Sequence, residues 1–360
     1  MHKDNRLLVA EIIYATAIVL LLVLRILAGL GVFNSISIEL AEILANGIIP
    51  QIIVMFGIPL LMLLASQKCC QQPLSIKQVC QDVGWHKLKF TDVLLLLVLG
   101  VCLYLLNTLI ASFFASILQA FGYQYPESSN VFPGYTGLLI SLLLTAVLPG
   151  FCEEFLHRGV LLSGLVKHCG VVQAIIWSSL CFGLMHMNVG QFFYATILGW
   201  VFGVTVLATG SLWSSMILHF INNALSVYLS YSREIYLPGA DIIFYLFSNP
   251  LSLLLTLLVV IVAVGGIIRY FARKNFERNI DRYTVRYLAS QEHFNAEDFD
   301  QVKNALPRAI LRLPVWKATF AYIDTFDAPQ RFRPLERALW IGILVLGSVV
   351  TCFTLIWGMW

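Results

Sequence analysis

The chain has 360 residues, 59% of them hydrophobic and only 12% charged, with a mean hydropathy of +0.82. Soluble globular chains carry roughly 25% charged residues, so this composition excludes one and points to a protein that crosses a membrane many times. The net charge is only +3. Its lysines and arginines fall mostly between apolar runs, where they report orientation rather than nucleic-acid binding.

A helical crossing needs about 20 apolar residues. Nine stretches read this way: 7–30, 43–66, 93–119, 136–166, 171–187, 191–208, 212–231, 250–272 and 338–359. The sequence therefore predicts an all-α polytopic transmembrane bundle of about 8–9 spans. The first run is too long for the core of a signal peptide and lacks a small-residue cleavage site, so it reads as a retained helix. Its charges, Glu11 and Arg25, lie towards its ends, where side chains can snorkel to the interface. Residues 67–90 hold Pro73, Leu74, Ile76, Val79, Val83 and then Trp85, the pattern of a short interfacial helix with an aromatic anchor. Residues 1–90 thus form an N-terminal unit, 91–232 a membrane core, and 233–272 one further span. Residues 273–337 are the one sizeable polar region. Tyr283, Val285, Tyr287 and Leu288 sit there at helical spacing, broken by Pro307, Pro314, Pro329 and Pro334, which predicts a small cytosolic helical module. Residues 338–360 form the last span.

Lys3, Arg6, Lys68, Lys77, Lys87, Lys89, Lys167, Arg273 and Lys274 all fall on one side of this arrangement. The other side carries Glu39, Glu42, Glu127, Arg233, Glu234 and Asp241. The positive-inside rule then places the N-terminus in the cytosol and the C-terminus outside. The eight cysteines are scattered between spans and basic loops, which argues against a disulfide framework. Cys69 and Cys70 read as ordinary thiols, with acylation the alternative. Pro59 and Pro149 interrupt apolar runs and should kink their helices. Pro149-Gly150 stands just ahead of two acids, so a kink there would admit water beside them. Gly199 and Gly203 allow close helix contact, expected within the chain rather than between copies.

Those acids are the strongest signal. Glu153-Glu154-Phe155-Leu156-His157-Arg158 interrupts an apolar run. Ionisable groups persist in a bilayer mainly where they line a bundle interior or a wet cavity. Glu154 and Arg158 are four apart and share a helix face, whereas Glu153 points about 100° away, with His157 as its own i+4 neighbour. One glutamate is thus paired and one is less constrained, which suits a general base. A packing ion pair alone would need only one acid. His186 ends the run from Phe182 and by itself is unremarkable. His219 lies inside a span with Asn223 one turn on, and two polar groups on one buried face need partners. At about 1.5 Å per residue, Glu153 lies roughly 20 Å and His186 roughly 22 Å from the basic ends of their spans, and His219 about 11–13 Å. The shallower His219 suggests a cavity open to the cytosol. A His-Glu-x-x-His helix, a Gly-x-Ser-Gly motif within a span and a pair of intramembrane aspartates are all absent.

Glu153-Glu154-x-x-x-Arg158, Phe182-x-x-x-His186 and His219-x-x-x-Asn223, with the lead-in Thr209-Gly210-Ser211-Leu212-Trp213, resemble the CPBP family of CAAX proteases and bacteriocin-processing (Abi) membrane proteins. The resemblance spans about residues 90–232. It implies an intramembrane endopeptidase with its site in a cavity reached from the cytosol, acting on a membrane peptide or a lipidated protein such as a prenylated CAAX substrate or a bacteriocin. It also implies Glu153 as the base activating water, His186 holding that water, His219 and Asn223 stabilising the oxyanion, and Glu154 and Arg158 ordering the site. The family is often described as metalloproteases. In that alternative Glu153, His186 and His219 hold a zinc ion; the metal-free mechanism is favoured here. Two further classes stay open. A proton-coupled transporter would use the same acids and histidines but predicts internal repeats, and the sequence has none. A non-cleaving immunity or binding protein would keep its protection after Glu153→Ala. Nothing fixes the oligomeric state. The lack of eukaryotic retention cues points to a bacterial inner membrane.

Overall fold

The computed structural model describes residues 6–69, 71, 73–125, 130–232, 234–289, 299–323 and 332–357. Lys3, Cys70, Glu127, Arg233 and Pro329, used above, lie outside them. The described residues form fourteen helices and no strand. They are α1 (Arg6–Gly29), α2 (Ile38–Cys69), α3 (Ile76–Asp82), α4 (Phe90–Ala120), α5 (Gly134–Cys169), α6 (Val171–Met185) and α7 (Val189–Thr209). Then come α8 (Trp213–Ser232), α9 (Ala240–Phe247), α10 (Pro250–Arg278), α11 (Ile280–Ala289), α12 (Phe299–Leu311), α13 (Val315–Ile323) and α14 (Pro334–Trp357).

Seven of these, α1, α2, α4, α5, α7, α10 and α14, are long and apolar enough to span a bilayer. The chain is an integral membrane protein. Its surface is the reverse of a soluble protein's: Leu254, Leu258, Val259 and Val262 on α10 are more than half exposed, while Glu154 and Arg158 are fully buried. Backbone polar groups are satisfied within the helices, as lipid requires. Two expected spans differ from the rest. α6 has 15 residues, and α8 reaches full length but is diluted by Ser214, Ser215, His219, Asn222 and Asn223. His186 lies just past the end of α6, and His219 lies on α8.

The core packs α6 tightly onto α7. A Cβ on Gly183 would stand 2.1 Å from Thr196 Oγ1 and 2.8 Å from the Phe192 carbonyl, so only glycine allows that approach. Gly199 and Gly203 face α6 and α5 of the same chain, so their use is intramolecular. On the basic side, Lys274 of α10 is ion-paired with Asp92 at the start of α4. The loop after α3 is tied to the entry of α8: Leu212 N–H donates to the Gly84 carbonyl at 2.8 Å, and the Ser211 hydroxyl donates to the His86 carbonyl.

The prolines act through the helix geometry. Three stretches widen to π-helical turns: 43–57 in α2, which contains Pro50, and 142–147 and 155–162 in α5, which flank Pro149 and the two glutamates. Such turns re-aim side chains and often accompany functional groups. Glu11, expected to snorkel, is instead fully buried in α1.

Candidate active site

The two neighbouring glutamates occupy different environments. Glu154 faces inward. Its Oε1 accepts from Arg158 Nη1 at 2.7 Å and from His219 Nδ1 at 2.9 Å. Arg158 is 1% exposed, and its Nη2 donates to the Gly199 carbonyl at 3.0 Å. A Cβ at Gly199 would crowd that guanidinium and Phe182, both at 3.2 Å, so the missing side chain makes room for the bond. The guanidinium carbon lies 4.4 Å from the Phe182 ring centre and 5.3 Å from that of Phe202, within cation–π range. His219 stacks on Phe202 at 5.5 Å. Because a carboxylate only accepts, His219 donates from Nδ1, and Nε2 is the nitrogen left to face a ligand.

Glu153 turns the other way, into a cavity of about 500 Å³. Its Oε1 accepts from Gln51 Nε2 of α2 at 2.9 Å. His186 lines the same cavity. Its Nδ1 donates to the Phe182 carbonyl at 2.8 Å, which frees Nε2 to bind a water or a substrate group. Met187, at φ +48°, makes the sharp turn that ends α6 just after His186, and the Asn188 side chain then caps α7. Arg25 of α1 holds this turn: Nη2 donates to the His186 carbonyl at 2.8 Å and Nη1 to the Met187 carbonyl at 3.5 Å. Arg25, exposed near the end of α1, also lines the cavity.

His157 does not reach the Glu153 carboxylate. Its Nδ1 donates to the Glu153 carbonyl at 2.7 Å and its ring is buried against Tyr14 and Phe182. Asn223 Nδ2 donates to the Thr145 carbonyl at 2.9 Å, inside the first π-helical stretch of α5, and its Oδ1 accepts from Asn222 at 3.0 Å. Among the described residues, the cavity wall includes Glu153 and His186 but neither His219 nor Asn223. The Phe182 ring contacts both histidines, 5.1 Å from His186 and 5.6 Å from His219.

That placement bears on a metal. No three His, Cys, Asp or Glu among the described residues are grouped to hold an ion. Glu153 and His186 line the cavity while His219 does not and is tied to Glu154, so the three do not fit as one ligand set in this arrangement, and no step below passes through a metal. The lining residues of the cavity can be placed along the bundle. The cavity is bounded by the end of α1, the first half of α2 and the α6–α7 turn, all distant from the basic loops.

Sequence reading missed Gln51, Arg25 and the central part played by Phe182. An amide following a proline inside an apolar run was the available signal for Gln51.

Compared with known proteins, residues 135–225 match the family described as Rce1-like, type II CAAX prenyl endopeptidase Rce1-like. No curated protein and no solved structure matches the chain. The matched segment runs from α5 through α8 and contains every residue of the three motifs. Over that stretch of its membrane core the chain is similar to the CAAX protease family.

Proposed function

We propose that this membrane protein, with a segment similar to CAAX endopeptidases, hydrolyses peptide bonds of membrane-associated substrates with a water activated by Glu153. One observation carries the reading: of two adjacent carboxylates, Glu154 is consumed by Arg158 and His219, while Glu153 lines a cavity beside a histidine with a free Nε2.

The water is held between the Glu153 carboxylate and His186 Nε2. Glu153 takes one of its protons as the oxygen attacks the carbonyl carbon. The tetrahedral oxyanion is stabilised by His219 and Asn223. Glu153 then returns the proton to the leaving amine as the C–N bond breaks, so one water is consumed and one acid and one amine are released. The Nδ1–H of His219 stays on Glu154, so its donor to the oxyanion is an Nε2–H, which the ring carries as its imidazolium, and Arg158 fixes Glu154. Neither His219 nor Asn223 lines the cavity in this arrangement, so the reading requires Phe182 to move when a peptide binds. Catalytic contacts commonly tighten only in the complex. Substrates in this reading are prenylated CAAX peptides, bacteriocins or other membrane peptides.

The test is cleavage by purified protein of a C-terminally prenylated reporter and of a mixed membrane-peptide pool. Wild type and Glu153→Ala are compared, each with and without a strong zinc chelator. Cleavage that needs Glu153 and survives chelation supports the mechanism. Loss on chelation with rescue by zinc replaces it with a metal mechanism. If neither protein cleaves any peptide in the pool, the peptidase reading is wrong.

A further inference from the structure

Pro149 interrupts α5 and brings no N–H to it. In a regular α-helix that N–H would reach back four residues, to the Thr145 carbonyl. This carbonyl lies in the π-helical stretch 142–147. Asn223 of α8 supplies a donor from outside the helix: its Nδ2 gives a hydrogen bond to the Thr145 carbonyl at 2.9 Å. A carbonyl only accepts, so this one bond decides which end of the Asn223 amide is nitrogen and which is oxygen.

The choice propagates through two more amides. With Nδ2 on Thr145, Asn223 turns Oδ1 towards Asn222, whose Nδ2 donates to it at 3.0 Å. Asn222 then presents Oδ1, which accepts from Asn107 Nδ2 of α4 at 3.2 Å. Asn107 and Asn222 are both buried. The helices that carry them are in close contact: a Cβ on Gly100 of α4 would stand 2.6 Å from Ile221 Cδ1 of α8. Reversing any one amide would set oxygen against oxygen in this row. The row therefore has one direction, set at the Thr145 carbonyl. It uses one of the two hydrogens on Asn223 Nδ2, and the other has no acceptor among the described residues.

We infer that Asn107 and Asn222 are positioning residues for peptide cleavage: they form a directed row of amides that keeps the NH2 group of Asn223, and not its oxygen, available to the developing oxyanion. The inference rests on the peptidase reading above, in which Asn223 stabilises that oxyanion. A donor fixed in advance stabilises the charge without reorganising as it forms, whereas an amide oxygen in its place would repel it. Asn107 stands on α4, outside the matched segment 135–225. Its Oδ1 is buried and has no hydrogen-bond partner among the described residues. An unpaired buried acceptor is costly, and a leucine of similar size would fill the space without that cost. The row needs the Asn107 NH2 group, which leucine lacks.

The test is a double-mutant cycle on the purified full chain. Wild type, Asn107→Leu, Asn223→Ala and the double variant are compared for kcat, KM and melting temperature with the prenylated reporter peptide, and Glu153→Ala marks the background rate. Asn107→Leu should lower kcat about threefold to tenfold, the worth of one hydrogen bond, with KM unchanged. In the Asn223→Ala protein the same substitution should cost no further kcat, because Asn107 acts only through Asn223. An equal fall in both backgrounds, or a wild-type kcat in Asn107→Leu, overturns the inference while leaving the peptidase reading intact. If Asn107→Leu does not fold, Asn222→Leu breaks the same row one step nearer to Asn223, and the same pattern is expected of its cycle. If wild-type protein cleaves no reporter, the peptidase reading fails and takes the positioning role with it. The melting temperatures then still test the row itself: strictly additive losses from Asn107→Leu and Asn223→Ala mean that no row joins the two residues.

Discussion

Glu153 and Glu154 are covalent neighbours whose surroundings share almost nothing. Around Glu154 the protein is dry: an arginine and a histidine both bind its Oε1, and two phenylalanine rings pack against that arginine. Around Glu153 it is open, with one amide donor and a histidine whose outer nitrogen is unused. The helical turn of about 100° per residue makes this division automatic. One helix thereby supplies a rigid anchor and a reactive group one position apart. The two regions should fail differently when broken, the first by unfolding and the second by losing chemistry.

The largest structural effect is expected from Arg158→Ala. It strands Glu154 in a buried site, and removing one partner of a buried pair costs about 3–5 kcal/mol. Chemical denaturation in detergent should show that loss, and Arg158→Lys should not restore it, because the fork that reaches both Glu154 and the Gly199 carbonyl is gone. A normal unfolding curve for Arg158→Ala would mean that the dry region is not an anchor. Gly199→Ala comes next. Its methyl group would press on Arg158 and Phe182, and overpacking of this kind costs about 1–3 kcal/mol. It should lower the melting temperature and leave any residual cleavage dependent on Glu153.

On the open side the effects are smaller and kinetic. Gln51→Leu removes the donor that aims Glu153. Losing one hydrogen bond to a charged acceptor is worth roughly 1.5 kcal/mol, or about tenfold in kcat, with little change in stability. The smallest effect lies outside the membrane. The Gly134 N–H, at 2.7 Å, and then the Asn130 amide, at 3.1 Å, hold the Glu234 carboxyl below the usual glutamate range. A depressed carboxyl stabilises the fold above its unfolded pKa and loses that contribution as pH falls through the folded value. The stability gap between wild type and Glu234→Gln should therefore be present at neutral pH and close below about pH 4.

Much of this was legible in the sequence. The many-span helical architecture, the Glu154–Arg158 pair and the placing of Glu153 apart from it all follow from hydrophobic length and helical period, although nine apolar stretches were expected to cross and seven helices are long and apolar enough to do so. The close use of Gly199 followed from small-residue spacing. What period alone did not supply was long-range. Gln51 and Arg25 come from helices outside the family match and reach the site only through tertiary packing. Arg25 had a satisfactory local explanation as a snorkelling residue, and that explanation concealed its contact with the His186 carbonyl. The separation of His219 from the cavity was equally invisible, because it depends on where the Phe182 ring lies between two helices. Depth alone could not place the cavity: rise per residue places a side chain along its own helix but does not say where the neighbouring helices leave space.

The most direct test of the division between the two glutamates compares Glu153→Gln with wild type, both purified and fully folded, for melting temperature and peptide cleavage together. The account predicts an unchanged melting temperature and a fall in kcat of about 10²–10⁴-fold, the usual share of a general base. A Glu153→Gln protein that unfolds early, or one that cleaves as fast as wild type, would contradict it.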